Sequence, residues 1–268
     1  TGSGEMGRFF SDVEDLLTFL RGAPSPYHAV ASVADRLTAA GFTEVGLDQP
    51  WEGGGARFVT RDGALVAWTT AGQDPSTPFR IVGAHTDSPN LRLKPNPDSG
   101  TAGWRQLGVE VYGGALWNSW LDRDLGLSGR VVVRGLDGFR TELLLVDRPL
   151  ARIPQLAIHL DRDVNGQGLK LNPQVHLTPV WGLGPWAEGD LAGFLARELS
   201  VDVADVVAWD LMFHDITPPT RLGRDQELVA SARLDNLLSC WAGTVALGSV
   251  ARTRSILPST PVLCLFEG

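Results

Sequence analysis

An apolar run at residues 79–84 ends in the tripeptide His-Thr-Asp at residues 85–87, and this junction constrains the fold more than any other stretch. A short apolar run of this length predicts a buried strand. In open α/β sheets, ligands bind beyond the carboxyl ends of the strands, which is where His85 lies. A metal-bound histidine usually donates its other ring N–H to a carboxylate, and Asp87 could accept it. The alternative, from these residues alone, is a surface turn.

A second candidate residue, Asp235, stands directly before an apolar segment at residues 236–250. Apolar side chains recur in this segment at mostly helical spacing, and Pro258 lies beyond it, so the pattern predicts a helix. A carboxylate at a helix start commonly caps the unpaired backbone N–H groups, and on local grounds capping is the favoured interpretation. Together with the His-Thr-Asp tripeptide, Asp235 is also a candidate metal ligand.

Five ordered sequence blocks resemble the aspartyl aminopeptidases, a family of zinc-dependent peptidases with two neighbouring metal ions. The blocks are SPYHAV at residues 25–30, GAHTDSP at 83–89, GGALW at 113–117 running into WLDRDL at 120–125, AIHL at 157–160, and SARLDN at 231–236. The second, third and fifth blocks are the most specific to this family. The resemblance extends over most of the chain, from Phe9 to Phe266.

The resemblance implies roles for four residues. His85 would bind one zinc ion, Asp87 would orient His85, and Asp235 would bridge the two metals. His159 would either ligate zinc or reach the active site, whereas its spacing alone favours a partly buried histidine in a short strand. Two Zn²⁺ ions per subunit are therefore expected, and oxygen and nitrogen ligands also suit Mn²⁺ or Co²⁺.

A hydrolytic metal site also needs a general base, which is normally a glutamate beside the metal-bound water. The resembling proteins follow the strand that matches residues 261–266 with two adjacent glutamates, one a base and one a zinc ligand. This chain has Glu267 and Gly268 there, and no Glu-Glu pair occurs in its 268 residues. Glu267 is the candidate for one member of that pair. The simplest interpretation is that the sequence is the amino-terminal portion of a longer protein.

Changes of composition and pattern along the chain predict an α/β domain that is interrupted by a β-rich insertion. The resemblance implies that the α/β part is a catalytic domain of the zinc-peptidase type. Residues 1–95 form its first part, with residues 1–5 interpreted as a tag remnant ahead of Met6. Residues 96–228 are rich in Gly, Pro and Trp, with short β runs, and the α/β pattern resumes over residues 229–268. In the resembling family the insertion forms dimers that assemble into a large hollow particle.

Local signals predict several individual elements. A capping box at residues 11–14 predicts the start of the first helix, and residues 26–40 predict a second helix. An Asp-Gly pair at residues 62–63 predicts a hairpin between strands at 57–61 and 64–68. A further helix is expected at residues 190–199 and a further strand at 206–213.

Composition excludes some classes of partner. The net charge of −8 argues against nucleic acid and anionic membranes, which select clustered Lys and Arg. The only two cysteines, Cys240 and Cys264, have the pattern of small core residues in a reducing compartment. We find no signal peptide and no run of 18 apolar residues, so a cytoplasmic protein is expected.

The function predicted is that of a hydrolase, a zinc metallo-aminopeptidase that removes N-terminal Asp or Glu residues from peptides. It would act as a homo-oligomer built from dimers. The alternative is a non-catalytic fragment, or a truncated paralogue, that serves as an oligomerisation module. A serine hydrolase is not supported, because the chain has no Gly-x-Ser-x-Gly elbow.

Overall fold

The computed structural model describes residues 2–51, 54–70, 74, 76–253 and 257–268, with side chains from residue 12 onward. It divides the chain into two compact units, each described here by itself. Unit 1 comprises Thr1–Ser88 and Pro218–Gly268, and unit 2 comprises Pro89–Thr217. Unit 2 is one continuous stretch of chain, whereas unit 1 is assembled from two stretches. The predicted domain limits at residues 95 and 228 stay a prediction.

Helices and strands both occur along the described residues, as an α/β chain requires. The helices are α1 (Gly2–Gly22), α2 (Pro26–Ala39), α3 (Val164–Gln167), α4 (Pro173–His176), α5 (Asp190–Leu199) and α6 (Leu234–Arg252). The strands are β1 (Thr43–Glu44), β2 (Ala56–Arg61), β3 (Ala64–Thr69), β4 (Phe79–His85), β5 (Asn90–Thr101), β6 (Trp104–Tyr112), β7 (Leu125–Gly135), β8 (Gly138–Ala151), β9 (Val180–Leu183), β10 (Val206–Asp215), β11 (Thr220–Leu222), β12 (Leu228–Ala230) and β13 (Thr260–Phe266).

Unit 1 contains a five-stranded mixed sheet in the order β1-β2-β3-β13-β4. Strand β13 pairs antiparallel with β3 and parallel with β4, so that Phe266 lies opposite His85. The predicted hairpin joins β2 to β3, and Asp62 at its turn has a φ of 53°, a left-handed conformation that Asp tolerates. The parallel pairing brings the carboxyl ends of β4 and β13 to the same edge of the sheet.

Helices α1, α2 and α6 supply the rest of the unit 1 core. Ser25 caps α2 by accepting a hydrogen bond from the His28 N–H, and Pro26 occupies the first turn, where its missing N–H costs nothing. The buried face of α2 packs with residues of the sheet and of α6, including Phe58 and Leu237. Among the described residues, no helix combines the length and apolar character that crossing a bilayer requires.

Unit 2 contains a six-stranded antiparallel sheet in the order β8-β7-β10-β5-β6-β9. Its inward-facing side chains alternate along β7, where Leu125, Leu127, Val131 and Val133 are fully buried. Helix α5 covers this core with Leu191 and neighbours at helical spacing. The unit is therefore a separate sheet with a hydrophobic core of its own.

The structure changes two expectations about local elements. Helix α1 begins at Gly2, so the residues 11–14 lie inside it rather than at its start, and the side chain of Ser11 is outside the described part. Strand β4 forms an edge of its sheet and exposes Phe79, Ile81 and Val82, whereas a buried strand was expected. An apolar run gives no information about which neighbours pack against it, and this is why the prediction of a buried strand was wrong.

Candidate metal centre

His85 and Asp87 form a contact at the carboxyl end of β4. The Nδ1 atom of His85 lies 3.1 Å from the Asp87 backbone oxygen and 3.3 Å from its Oδ1. Because both oxygens are acceptors, the proton of the ring belongs on Nδ1, and the Nε2 lone pair is left to bind a cation. The His85 side chain is 54% exposed and that of Asp87 is 15% exposed. Asp87 therefore orients the ring mainly through its backbone oxygen, with its carboxylate close beside Nδ1.

Thr86, between these two residues, anchors the segment to the sheet. Its backbone N–H donates to the Phe266 carbonyl oxygen at 2.8 Å, which continues the parallel pairing of β4 and β13 by one residue. Its buried hydroxyl donates to the Gly63 carbonyl oxygen at 2.5 Å. Both anchors are inside unit 1, and they fix the direction in which the chain leaves β4.

Asp235 lies in the first turn of α6, and its side chain is exposed. The residue at the N-cap position is Arg233, which has a φ of 61° and makes no side-chain capping hydrogen bond. The local interpretation of Asp235 as a capping residue was therefore wrong, since the helix begins one residue before it. Its carboxylate remains available for another role in the first turn of the helix.

The start of α6 is connected to the segment that follows β4. Ser88 donates a hydrogen bond from its hydroxyl to Oδ1 of Asn236 at 2.9 Å, and both side chains are buried. One turn further along, the Cys240 thiol donates to the His85 carbonyl oxygen at 3.1 Å. Burial, and after it the negative charge of Asp87, raises the pKa of the Cys240 thiol to about 12. Cys240 is therefore a neutral donor and not a thiolate ligand.

Glu267 follows β13 at the same edge of the sheet. Its Oε1 accepts a hydrogen bond from the Tyr27 hydroxyl at 3.3 Å. Its carboxylate also packs against Gly63, so closely that any Cβ at that position would overlap it. These contacts favour a structural role for Glu267, as a link between α2, the hairpin turn and the end of β13.

His159 belongs to unit 2, where it lies in an exposed turn closed by a hydrogen bond from the Leu160 N–H to the Ala157 carbonyl oxygen. The sequence alone favoured a partly buried histidine in a short strand, and this was wrong on both points. The turn follows Pro154, which interrupts the strand pattern, and the exposure leaves both ring nitrogens open to other groups.

The donors in unit 1 suit zinc in kind, since imidazole and carboxylate are ordinary zinc ligands. Within the described ranges, however, no group of three or more His, Cys, Asp and Glu side chains is placed to hold a metal ion. A zinc site needs three or four protein ligands. Among the described residues, His85 thus has one carboxylate beside it, that of Asp87.

Thr86, Ser88 and Asn236 were quoted within motifs of the sequence without an assigned function, and Cys240 was interpreted as a small core residue. Each is a buried polar side chain or thiol that fixes a segment carrying a candidate donor. A polar residue next to a candidate ligand, in a context that is otherwise apolar, is the signal that could have identified them. Their partners lie far away in the chain and could not have been named.

Comparison with known proteins decides the family. Residues 19–267 match the family model described as "Aminopeptidase I zinc metalloprotease (M18)", which is more than nine-tenths of the chain. The chain belongs to the M18 family. The resemblance to the aspartyl aminopeptidases is confirmed at this level, and with it the expectation of a zinc metalloprotease family.

Curated M18 relatives are similar over nearly all of this chain. A probable M18 family aminopeptidase 2 of Streptomyces coelicolor is 58% identical over 257 residues, which is 95% of this chain and 59% of the relative. The protein of the same description from Mycobacterium leprae is 47% identical over 258 residues, again 59% of its length. The chain therefore spans about three-fifths of the length of these M18 relatives.

Solved M18-type structures share the fold of the chain. A chain of the cryo-EM structure of the Ape4 and Nbr1 complex superposes with a TM-score of 0.90 at 34% identity, over 96% of this chain and 54% of that one. The mApe1 of Chaetomium thermophilum gives a TM-score of 0.84 at 30% identity, over 95% and 62% of the two chains. The mixed α/β fold with several sheets is confirmed by these likenesses.

Proposed function

We propose that this protein is a zinc aminopeptidase that hydrolyses the N-terminal residue of peptides. The observation that carries the proposal is the contact between His85 and Asp87 at the carboxyl end of a strand, in a chain that belongs to the M18 family. Family membership favours this function over a non-catalytic module, because the family is one of zinc metalloproteases.

In this proposal each donor in unit 1 has its own task. His85 would hold zinc through Nε2, Asp87 would accept the Nδ1 hydrogen bond and hold the ring, and Asp235 would be the carboxylate shared by two zinc ions. Bound zinc supplies Lewis acidity, which polarises the scissile carbonyl and lowers the pKa of a coordinated water. Manganese or cobalt suits the same donors. The ligands still needed come from parts of the protein outside the described residues.

A general base is also needed, and Glu267 is a poor candidate in this arrangement because the Tyr27 hydroxyl and the Gly63 turn already engage its carboxylate. The base in this proposal is a carboxylate from the region that lies outside the 59% of the M18 relative matched by this sequence. Glu267 then serves to hold the end of β13.

The finer features of the proposal rest on the resemblance. The substrates are peptides with N-terminal Asp or Glu, and the inserted β-rich domain forms the dimer contacts of a homo-oligomer. Yeast mature Ape1 has been solved as a dodecamer, which supports assembly. A cytoplasmic location, expected from the two free cysteines, belongs to the same proposal.

The decisive experiment measures hydrolysis of an N-terminal aspartyl peptide by the full-length protein, with and without a chelator. The His85→Ala variant should lose about 10³-fold or more in kcat/KM, or about 4 kcal/mol of transition-state stabilisation. His176→Ala removes an exposed histidine of unit 2 and is the matched control, with activity retained. Hydrolysis that resists the chelator, or that survives in His85→Ala, would refute the zinc mechanism.

His159 needs an assay that separates ligation from substrate contact. If His159 ligates zinc, the His159→Ala variant will retain less zinc after dialysis, as measured by elemental analysis. If it reaches the substrate, the zinc content will be unchanged while kcat/KM falls. Full zinc content together with full activity would remove His159 from the proposed site.

A further inference from the structure

The segment after β4 and the start of α6 are joined by one buried hydrogen bond between side chains. The hydroxyl of Ser88 donates to Oδ1 of Asn236 at 2.9 Å. Ser88 is 8% exposed and Asn236 is 1% exposed, so water does not compete for the bond. The two residues are 148 positions apart in the chain. The bond therefore fixes the relative position of two segments that the local sequence does not hold together.

Both residues are direct neighbours of the proposed zinc donors. Ser88 follows Asp87, and Asn236 follows Asp235 in the first turn of α6. The hydrogen bonds of Thr86 connect the same segment to β13 and to the hairpin turn, and not to α6. The Cys240 thiol reaches the His85 carbonyl oxygen one turn further along α6. The Ser88 bond meets α6 at the turn that carries Asp235.

The hydrogen bonding of this pair is incomplete, which is not expected of a pair that serves stability alone. The Nδ2 atom of Asn236 is buried and has no hydrogen-bond partner among the described residues. A buried donor without a partner is unfavourable, whereas replacing both polar partners by apolar groups of similar shape is often neutral. A pair that served only to stabilise the fold would lose little by such a replacement. The arrangement is better explained by the placement of what lies beside it.

We propose that Ser88 and Asn236 are positioning residues of the M18 metal centre, whose hydrogen bond sets the His85–Asp87 segment against Asp235. This inference rests on the proposed function, since it assigns the bond to the zinc site. Neither residue is itself a ligand. Partners that orient metal ligands typically change metal affinity by about 10- to 100-fold when they are removed.

The test measures zinc affinity in the full-length protein by competition with a chromogenic chelator, alongside the melting temperature. Ser88→Ala and Asn236→Leu are each expected to bind zinc about 10- to 100-fold more weakly. The double variant is expected to be little weaker than the single variants, because both remove the same bond. Ser88→Thr keeps the hydroxyl and is expected to keep more of the zinc affinity than Ser88→Ala.

Thr244→Val is the matched control for a general loosening of α6. Thr244 is a buried residue of the same helix, and its hydroxyl donates to the Cys240 carbonyl oxygen at 2.7 Å, a bond that stays within the helix. This variant is expected to lose stability and keep its zinc affinity. Weaker zinc binding in the Ser88 and Asn236 variants, but not in Thr244→Val, supports the positioning role.

Two results would overturn the inference in distinguishable ways. If His85→Ala weakens zinc binding while Ser88→Ala and Asn236→Leu bind normally, or lose affinity only as much as Thr244→Val at equal stability, the positioning role is refuted and the proposed function stands. If His85→Ala itself binds zinc like the unmodified protein, the proposed function fails, and the positioning role fails with it.

Discussion

The two units of this chain differ in how their strands are paired. Unit 2 has a wholly antiparallel sheet, whereas unit 1 pairs β4 and β13 in parallel and β3 and β13 antiparallel. Parallel pairing brings two carboxyl ends to one edge, and the segments carrying His85 and Glu267 leave the sheet of unit 1 there. In unit 2, His159 lies on an exposed turn away from any strand end. Candidate chemistry therefore gathers where parallel strands end, as in other α/β proteins.

The largest expected change in the free energy of unfolding comes from truncating a large side chain in the core of either unit. Phe58 of unit 1 and Phe213 of unit 2 are both less than 2% exposed. Phe58→Ala and Phe213→Ala should each lower the free energy of unfolding by about 3–5 kcal/mol, because each leaves a cavity. Hydrogen exchange followed by mass spectrometry should show lost protection only in the unit that carries the substitution. Equal loss in both units would mean that they unfold together and that the comparison between them does not extend to stability.

A smaller effect tests the antiparallel sheet of unit 2. Gly129 in β7 has a φ of 142°, and a Cβ there would overlap the backbone oxygen of Asp210 on β10. Gly129→Ala should lower the unfolding free energy by about 2–3 kcal/mol, from backbone strain and this overlap. Gly138→Ala is the control, because its φ of 122° brings the same kind of strain with no atom within 4 Å of the Cβ. Equal destabilisation of the two variants, measured by urea denaturation, would contradict the close approach of β7 and β10.

At neutral pH the smallest effect is that of His28 in unit 1, because it develops only as the solution becomes acidic. Burial lowers the pKa of His28 from 6.5 to about 4. As the pH falls below 6.5, the unfolded chain therefore binds a proton that the folded protein does not, and stability decreases until the pH reaches about 4. Between pH 6.5 and about 4, the free energy of unfolding of the unmodified protein should change with pH by about 1.4 kcal/mol per pH unit more than that of His28→Gln. The exposed histidine variant His176→Gln should keep that slope, and an unchanged slope in His28→Gln would show that His28 titrates normally.

Elements with strong local signals were predictable from the sequence. The helix predicted at residues 190–199 has the bounds of α5, and the second helix ends within one residue of its predicted end at residue 40. The Asp-Gly hairpin is also correct. In each case the information lies within a few residues, in a cap, a turn residue or a periodic apolar face.

Properties set by distant neighbours were not predictable. The exposure of Phe79 and Ile81 depends on what packs against β4, and no local pattern records that. Asp235 was placed correctly near a helix start, but its capping role was wrong because Arg233 takes the N-cap position in an unusual left-handed conformation. The candidate donors were found as motifs, whereas the Ser88–Asn236 bond, across 148 positions, needed coordinates.

The division of unit 1 between two stretches of chain has a consequence for biosynthesis. Strand β4 finds its neighbour β13 about 180 positions later, so this pairing closes a very long loop. The continuous unit 2 has all its strands once residue 217 has left the ribosome, while β4 still lacks both β13 and α6. During that interval, neither edge of β4 is hydrogen-bonded to another strand, and its apolar side chains are exposed to solvent. A nascent chain of this design is most exposed to aggregation after its middle has folded and before its first strands find their partners.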